Sequence, residues 1–209
     1  MKEILPGIWS WSVFNQERGM SFNGHLVAND EGCVLIDPPP MTEAQLAQAE
    51  AAGPPEAILI TNRHHTRDAM TPAGRMKARI LLHEHDAGGI PPEVRLGGVY
   101  RDGDMLPGGL KAVALSDQKS PGECALWCEK ARVLILGDAL IGKPSGQLNL
   151  LPPEKYRDVA AAREGIRRLL AFPFEAVLVG DGEPVTRGGR QAVEAFLARG
   201  APSSMRKTP

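Results

Sequence analysis

The chain has 209 residues, of which 43% are hydrophobic and 23% charged, with a net charge of −1 at pH 7. That length suits one substantial core in an ordinary globular protein, and the near-zero charge gives no electrostatic reason to bind nucleic acid or an anionic membrane. No run of about 18 apolar residues could span a bilayer, and residues 1–7 lack the apolar core of a signal peptide, so a cytoplasmic protein is expected.

The pattern predicts a first strand over 8–14, where Trp9, Trp11 and Phe14 are shared between core packing and an exposed aromatic edge. Residues 24–29 and 32–37 read as a hairpin turning at Asp30-Glu31-Gly32. Pro38-Pro39-Pro40 ends the sheet, and Thr42 with Gln45 opens a helix as a capping box, with Leu46 and Ala49 inward. A strand over 57–61, a short helix from Pro72, a strand over 79–83 and a turn over 83–88 follow. Three strands are then expected over 109–115, 123–128 and 132–137. Even spacing places Cys124, Leu126 and Cys128 on one face of the second, which reads as buried thiols rather than a zinc or redox site. A long helix is predicted from Pro152-Pro153, carrying Tyr156, Val159, Ile166 and Leu169 at helical spacing. A strand over 176–180 and a helix over 190–199 close the pattern. The expected organisation is a single domain over 1–200 with a polar tail at 201–209. Helices alternating with strands give an α/β protein with a mixed sheet.

The chemistry-bearing stretch is Ile60-Thr61-Asn62-Arg63-His64-His65-Thr66-Arg67-Asp68, an apolar strand running into histidine, arginine and aspartate. Four other landmarks accompany it. Gly24-His25-Leu26-Val27 with the strand ending at Asp37 precedes it; Ser116-Asp117-Gln118-Lys119-Ser120-Pro121-Gly122, Leu136-Gly137-Asp138 and Val179-Gly180-Asp181-Gly182 follow. In this order they resemble the metallo-β-lactamase superfamily: its opening hairpin with a structural aspartate, its T-H-x-H-x-D-H metal loop, its G-H-T-P-G loop, the strand of the metal-bridging aspartate and the final G-H-G turn. The resemblance implies a four-layer αββα sandwich of two mixed sheets flanked by helices. It also implies an active-site edge that in active members holds one or two ions, usually zinc, bound by imidazoles and carboxylates with a position open for water.

Fold does not carry function with it, so the positions are read one by one. With Thr61 on the family's threonine, the metal-loop ligands become Asn62, His64, Thr66 and Arg67. The downstream histidine becomes Gln118, the bridging aspartate is Asp138, and the last histidine is Asp181. Only His64 and Asp138 keep the family residue, although a one-residue bulge would bring His65 or Asp68 inward. An intact dinuclear zinc centre is therefore not expected. A guanidinium cannot ligate a metal, and the expected replacement is a salt-bridge network of Arg67 with Asp138, with Asp181 as a second partner.

Three functional readings follow. The first is a hydrolase-like protein whose pocket, lined by Asn62, Arg63, His65, Thr66, Arg67, Asp68, Gln118, Lys119 and His83, binds a small anion through Arg63, Arg67 and Lys119 without any metal. The second is a mononuclear hydrolase of a small ester or thioester, with one zinc, manganese or iron ion on His64, Asp138 and Asp181; there, His64 and Asp138 are the catalytic candidates. The third is a partner-binding protein without catalysis. His83-Glu84-His85-Asp86 is a second cluster, from which His83 is assigned to the pocket wall. His25 reads as structural and Asp37 as orienting its neighbouring loop. Ser116 and Ser120 lack a histidine–acid pair, so a serine hydrolase is not supported, and nothing supports β-lactam hydrolysis. A C2 homodimer is the base-rate assembly.

Overall fold

The computed structural model describes residues 1–200; the polar tail at 201–209 lies outside the described residues. Within them, β1 (Lys2–Leu5), β2 (Ile8–Asn15), β3 (Met20–Asn29), β4 (Gly32–Ile36), β5 (Ala57–Ile60), β6 (Arg79–His83) and β7 (Gly98–Tyr100) form one sheet in chain order. A second sheet has the order β12 (Ala176–Val179), β11 (Val133–Leu136), β10 (Cys124–Cys128), β9 (Leu110–Ala114) and β8 (Met105–Leu106). Helices α1 (Glu43–Ala52) and α2 (Met70–Met76) cover the first sheet, and α3 (Val159–Ile166) and α4 (Gly189–Ala198) the second.

Side-chain alternation builds the layers. Val34, Ile36, Ala57 and Leu59 face Cys124, Leu126, Val133 and Ile135 between the sheets, while Leu35, Ile58 and Ile60 pack outward under α1 and α2. Leu134, Leu136, Val177 and Val179 pack outward under α3 and α4. Strands buried on both faces must be apolar throughout, which explains the uninterrupted runs of β5, β11 and β12. The three thiols are buried and unpaired, with Cys124, Leu126 and Cys128 in the inter-sheet core as their spacing predicts. The capping box on α1 forms in both directions, Gln45 N to Thr42 Oγ1 at 3.3 Å and Thr42 N to Gln45 Oε1 at 2.8 Å.

Two departures from the sequence pattern have local causes. The helix expected from Pro152 is broken: a 3₁₀ turn at Pro153–Lys155 ends in extended Tyr156, and α3 starts after Asp158. The Asp158 carboxylate accepts from the N–H groups of Ala160 and Ala161, so the capping side chain sets the start and not the apolar spacing. Strands β1, β7 and β8 are two to four residues long, too short for periodicity to register.

Topology fixes the site. Strands β4, β5 and β6 run parallel in one sheet, and β11 and β12 in the other. Their C-terminal ends deliver Asp37, Thr61, Asp138 and Asp181 to one edge of the sandwich, the usual crevice for ligands in such sheets. Three backbone bonds tie the sheets there, Asn23 N to Gly180 O at 2.7 Å, Gly182 N to Ser21 O at 2.8 Å and Cys124 N to Thr61 O at 2.9 Å.

Candidate functional site

A cavity of about 800 Å³ opens at this edge. Its floor holds His65, Arg67, Lys119, Asp138 and Asp181, and the exposed His64 stands at its mouth.

The loop after β5 places these groups through its own hydrogen bonds. Asp37 accepts from Thr61 N at 2.8 Å and from Thr61 Oγ1 at 2.5 Å, locking the strand end. Asn62 Oδ1 then accepts from His64 N, and Asn62 O from His65 N, so the chain turns tightly and His65 swings inward. His65 Nδ1 lies 2.8 Å from Asp37 Oδ2, and its Nε2 lies 3.5 Å from Asp138 Oδ1. Asp37 thus orients the loop as its place in the hairpin suggests, while His25 is buried with Nε2 against Val179 O, a structural role.

Arg67 has a left-handed backbone, φ +37°, and a side chain only 9% exposed. Its Nη1 donates to the carbonyls of Asn23 at 2.7 Å and Asp37 at 3.2 Å. Nη2 donates to Gly180 O at 3.1 Å and to Asp181 Oδ1 at 2.6 Å. Its ion-pair partner is therefore Asp181, whereas Asp138 is taken by Lys119, with Nζ 2.6 Å from Oδ2.

The electrostatics follow from burial and neighbours. For His65, burial and the Arg67 charge oppose protonation, but Asp37 and Asp138 outweigh them and raise its pKa to about 10. For Asp138, burial is outweighed by His65 and Lys119, which hold it far below the usual carboxylate range. Burial raises Asp181 despite His65 and Arg67. His65 Nε2 also lies 3.4 Å from Arg67 Nη2, and Asp37, Asp138 and Asp181 surround the pair.

Of the other residues assigned to the pocket, Asn62 is buried beneath it, its Nδ2 without a partner. The Arg63 backbone N–H donates to Asp86 Oδ2 at 2.9 Å, and its guanidinium Nε lies 3.9 Å from Asp86 Oδ1. Thr66 is buried in the loop, and Asp68 accepts from Thr71 Oγ1 at the start of α2. Gln118 donates to Ser116 O and Ala162 O, away from the cavity. His83 stacks edge-on with Tyr100 and His85. The sequence held a signal for Lys119: Ser120-Pro121-Gly122 matches the T-P-G of the family loop and puts Lys119, not Gln118, on its histidine. Glu123 was missed; it is fully buried, with Oε1 accepting from Ala139 N and Oε2 unpartnered.

A metal would need free donors, and His65, Asp138 and Asp181 do bring ligand atoms within 4.8 Å of one another. His65, rather than His64, is the histidine of that set. Yet Arg67 and Lys119 already sit on the two carboxylates, and neither is free for an ion. As arranged, these residues do not fit a divalent ion.

Gly180 makes the floor possible. A Cβ there would stand 2.5 Å from His65 Cε1 and 2.9 Å from its Nδ1. Gly180→Ala is expected to displace the imidazole and destabilise by about 1–3 kcal/mol, as overpacking does; urea unfolding measures the loss, and an unchanged midpoint would show that the ring is free to move.

The family model of the metallo-beta-lactamase superfamily matches residues 1–199. The chain belongs to that superfamily. Among solved members, it is similar to a metallo-beta-lactamase from Pontibacter korlensis, 16% identical with a TM-score of 0.77 over 94% of this chain and 96% of that one. TTHA1623 in a di-iron-bound form is 26% identical, with a TM-score of 0.66 over 88% of this chain and 96% of that one. The hydroxyacylglutathione hydrolase of Methylobacterium sp. (strain 4-46) is 28% identical over 169 residues, covering 78% of this chain. The match spans only 62% of that relative's length. Among the described residues, no helix is long and apolar enough to cross a membrane.

Proposed function

We propose that this superfamily member works without a metal, two fixed cations standing in for the ions, and that its cavity binds a small anionic molecule. One observation carries the reading: each carboxylate that could ligate a metal already has a protein cation 2.6 Å away, Lys119 on Asp138 and Arg67 on Asp181. Two converging buried carboxylates are costly without such compensation. On the family landmarks, Lys119 and Arg67 occupy two former ligand positions, so each substitution removes a donor and supplies a charge. Metal-activated water is then not the nucleophile, and dinuclear hydrolysis is lost. Hydroxyacylglutathione, in the name of the relatives, bears carboxylates, which agrees with an anionic ligand.

The second reading, a mononuclear hydrolase, is favoured by the convergence of His65, Asp138 and Asp181. It requires Lys119 and Arg67 to swing away and His65 to lose a proton. Elemental analysis after purification without chelator, then after zinc, manganese and iron soaks, separates the two. Substoichiometric metal throughout is expected. One equivalent of ion, lost in His65→Ala, would replace the first reading with the second.

A further inference from the structure

Arg67 and Lys119 are neutralised by their carboxylates, and Arg63, with Nε 3.9 Å from Asp86 Oδ1, is turned away from the cavity. The floor offers an anion no free cation: Arg67 is paired with Asp181 and Lys119 with Asp138, and Asp37 lies close by. A ligand anion therefore gains little by going to the bottom of the cavity.

The mouth is different. Arg18, Lys143 and Lys155 line it, against a single acid, Glu17. None of the three cations has a carboxylate within ion-pair distance among the described residues, so each keeps its charge for a ligand. Lys143 is also held in place. Its Nζ donates to Arg18 O at 3.0 Å and Gly19 O at 3.1 Å, which fastens the β2–β3 turn to the segment after β11 and leaves the ammonium charge uncompensated. Lys155, exposed on the 3₁₀ turn at Pro153–Lys155, also lines the cavity. Between rim and floor the wall is apolar: Met20, Phe22, Ile141, Leu150 and Leu151.

From this layout we infer that the cavity takes an amphipathic anion, a phosphate or carboxylate head on an apolar body. The head sits among Arg18, Lys143 and Lys155, and the body lies along Phe22, Ile141 and Leu150. The charge asymmetry selects the orientation, because a head placed inward would meet Asp138 and Asp181, whose partners are already engaged. The inference rests on the proposed anion-binding role and names the ligand class and where its charge goes.

Isothermal titration with octyl phosphate, below its micellar concentration, tests it against inorganic phosphate and octanol. Octyl phosphate is expected to bind about tenfold or more tightly than either, and Arg18→Ala/Lys155→Ala to weaken it by about tenfold. Lys130→Ala, a surface control, should leave it unchanged. Both rim residues are exposed, so the double variant should keep its thermal midpoint. Binding insensitive to the rim pair but lost in Lys119→Met would put the anion on the floor, overturning this inference while the anion-binding reading stands. Equal binding of octyl and inorganic phosphate would overturn the amphipathic class. No binding of any anion would overturn both readings. Elemental analysis of the same samples reads the metal separately.

Discussion

Arg67→Met is expected to cost about 3–5 kcal/mol of folding stability, the range seen when one partner of a buried ion pair is removed. The side chain makes two bonds in each of two directions, to Asn23 O and Asp37 O on one side and to Gly180 O and Asp181 Oδ1 on the other. Those acceptors come from the first sheet and from the end of β12, so the guanidinium cross-links the two sheets where their strands end. Without it, Asp181 and three carbonyls face one another with His65 as the nearest cation. Methionine leaves the left-handed backbone strain as it was, because both residues carry a Cβ, so the measured loss belongs to the head group. Arg67→Lys should fall between, since an ammonium keeps the charge but cannot span both sets of acceptors. Arg67→Met/Asp181→Leu should recover part of the loss, because the orphaned charge goes with its partner. Urea unfolding of the three variants measures all of this. A change under about 1 kcal/mol for Arg67→Met would mean that water replaces the guanidinium at little cost, and the cation-for-metal argument would fail.

What the sequence disclosed and what it hid divide along a physical line. Apolar runs such as Ala57–Ile60 and Ala176–Val179, too short for a helix and bounded by turn residues, read as buried strands, and the Thr42–Gln45 box is local chemistry; both were legible. The order of landmarks carried the αββα fold. The inward histidine was not legible, because whether His64 or His65 enters depends on bonds that Asn62 and Asp37 make to the turn, and Asp37 is 28 residues away from His65. Pairing was hidden for the same reason. Arg67 reaches Asp181 across 114 residues and Lys119 takes Asp138 across 19, choices made by where strands end in space. The mouth cations come from three separate segments, and nothing in any one of them marks a site.

Stability should fall on the alkaline side of neutral pH, with His65 and Glu123 both contributing. The folded pKa of His65, about 10, lies above the ordinary 6.5, because Asp37 and Asp138 overcome burial and Arg67. A raised pKa means that the native state holds a proton the unfolded chain releases, so the contribution is fully present below pH 6.5 and is lost as pH rises through about 10. The full loss is on the order of 3–5 kcal/mol. Glu123 acts in the same direction, since burial, with Asp138 beside it, raises its pKa well above the ordinary value. His25 works on the other side. Burial lowers its pKa to about 4, so the native state resists protonation and stability falls as pH drops from 6.5 towards 4. The buried thiols, raised from 9.0 by burial, act in the same direction once the unfolded chain's thiols ionise, so the alkaline limb is followed only to pH 8. Between pH 6.5 and 8, His65→Gln should flatten part of the slope, and His65→Gln/Glu123→Gln most of it. A slope unchanged in His65→Gln would mean that the imidazole is neutral in the native state. Its Nε2 lone pair would then be free towards Asp138 and Asp181, and the case for a single bound ion would be restored.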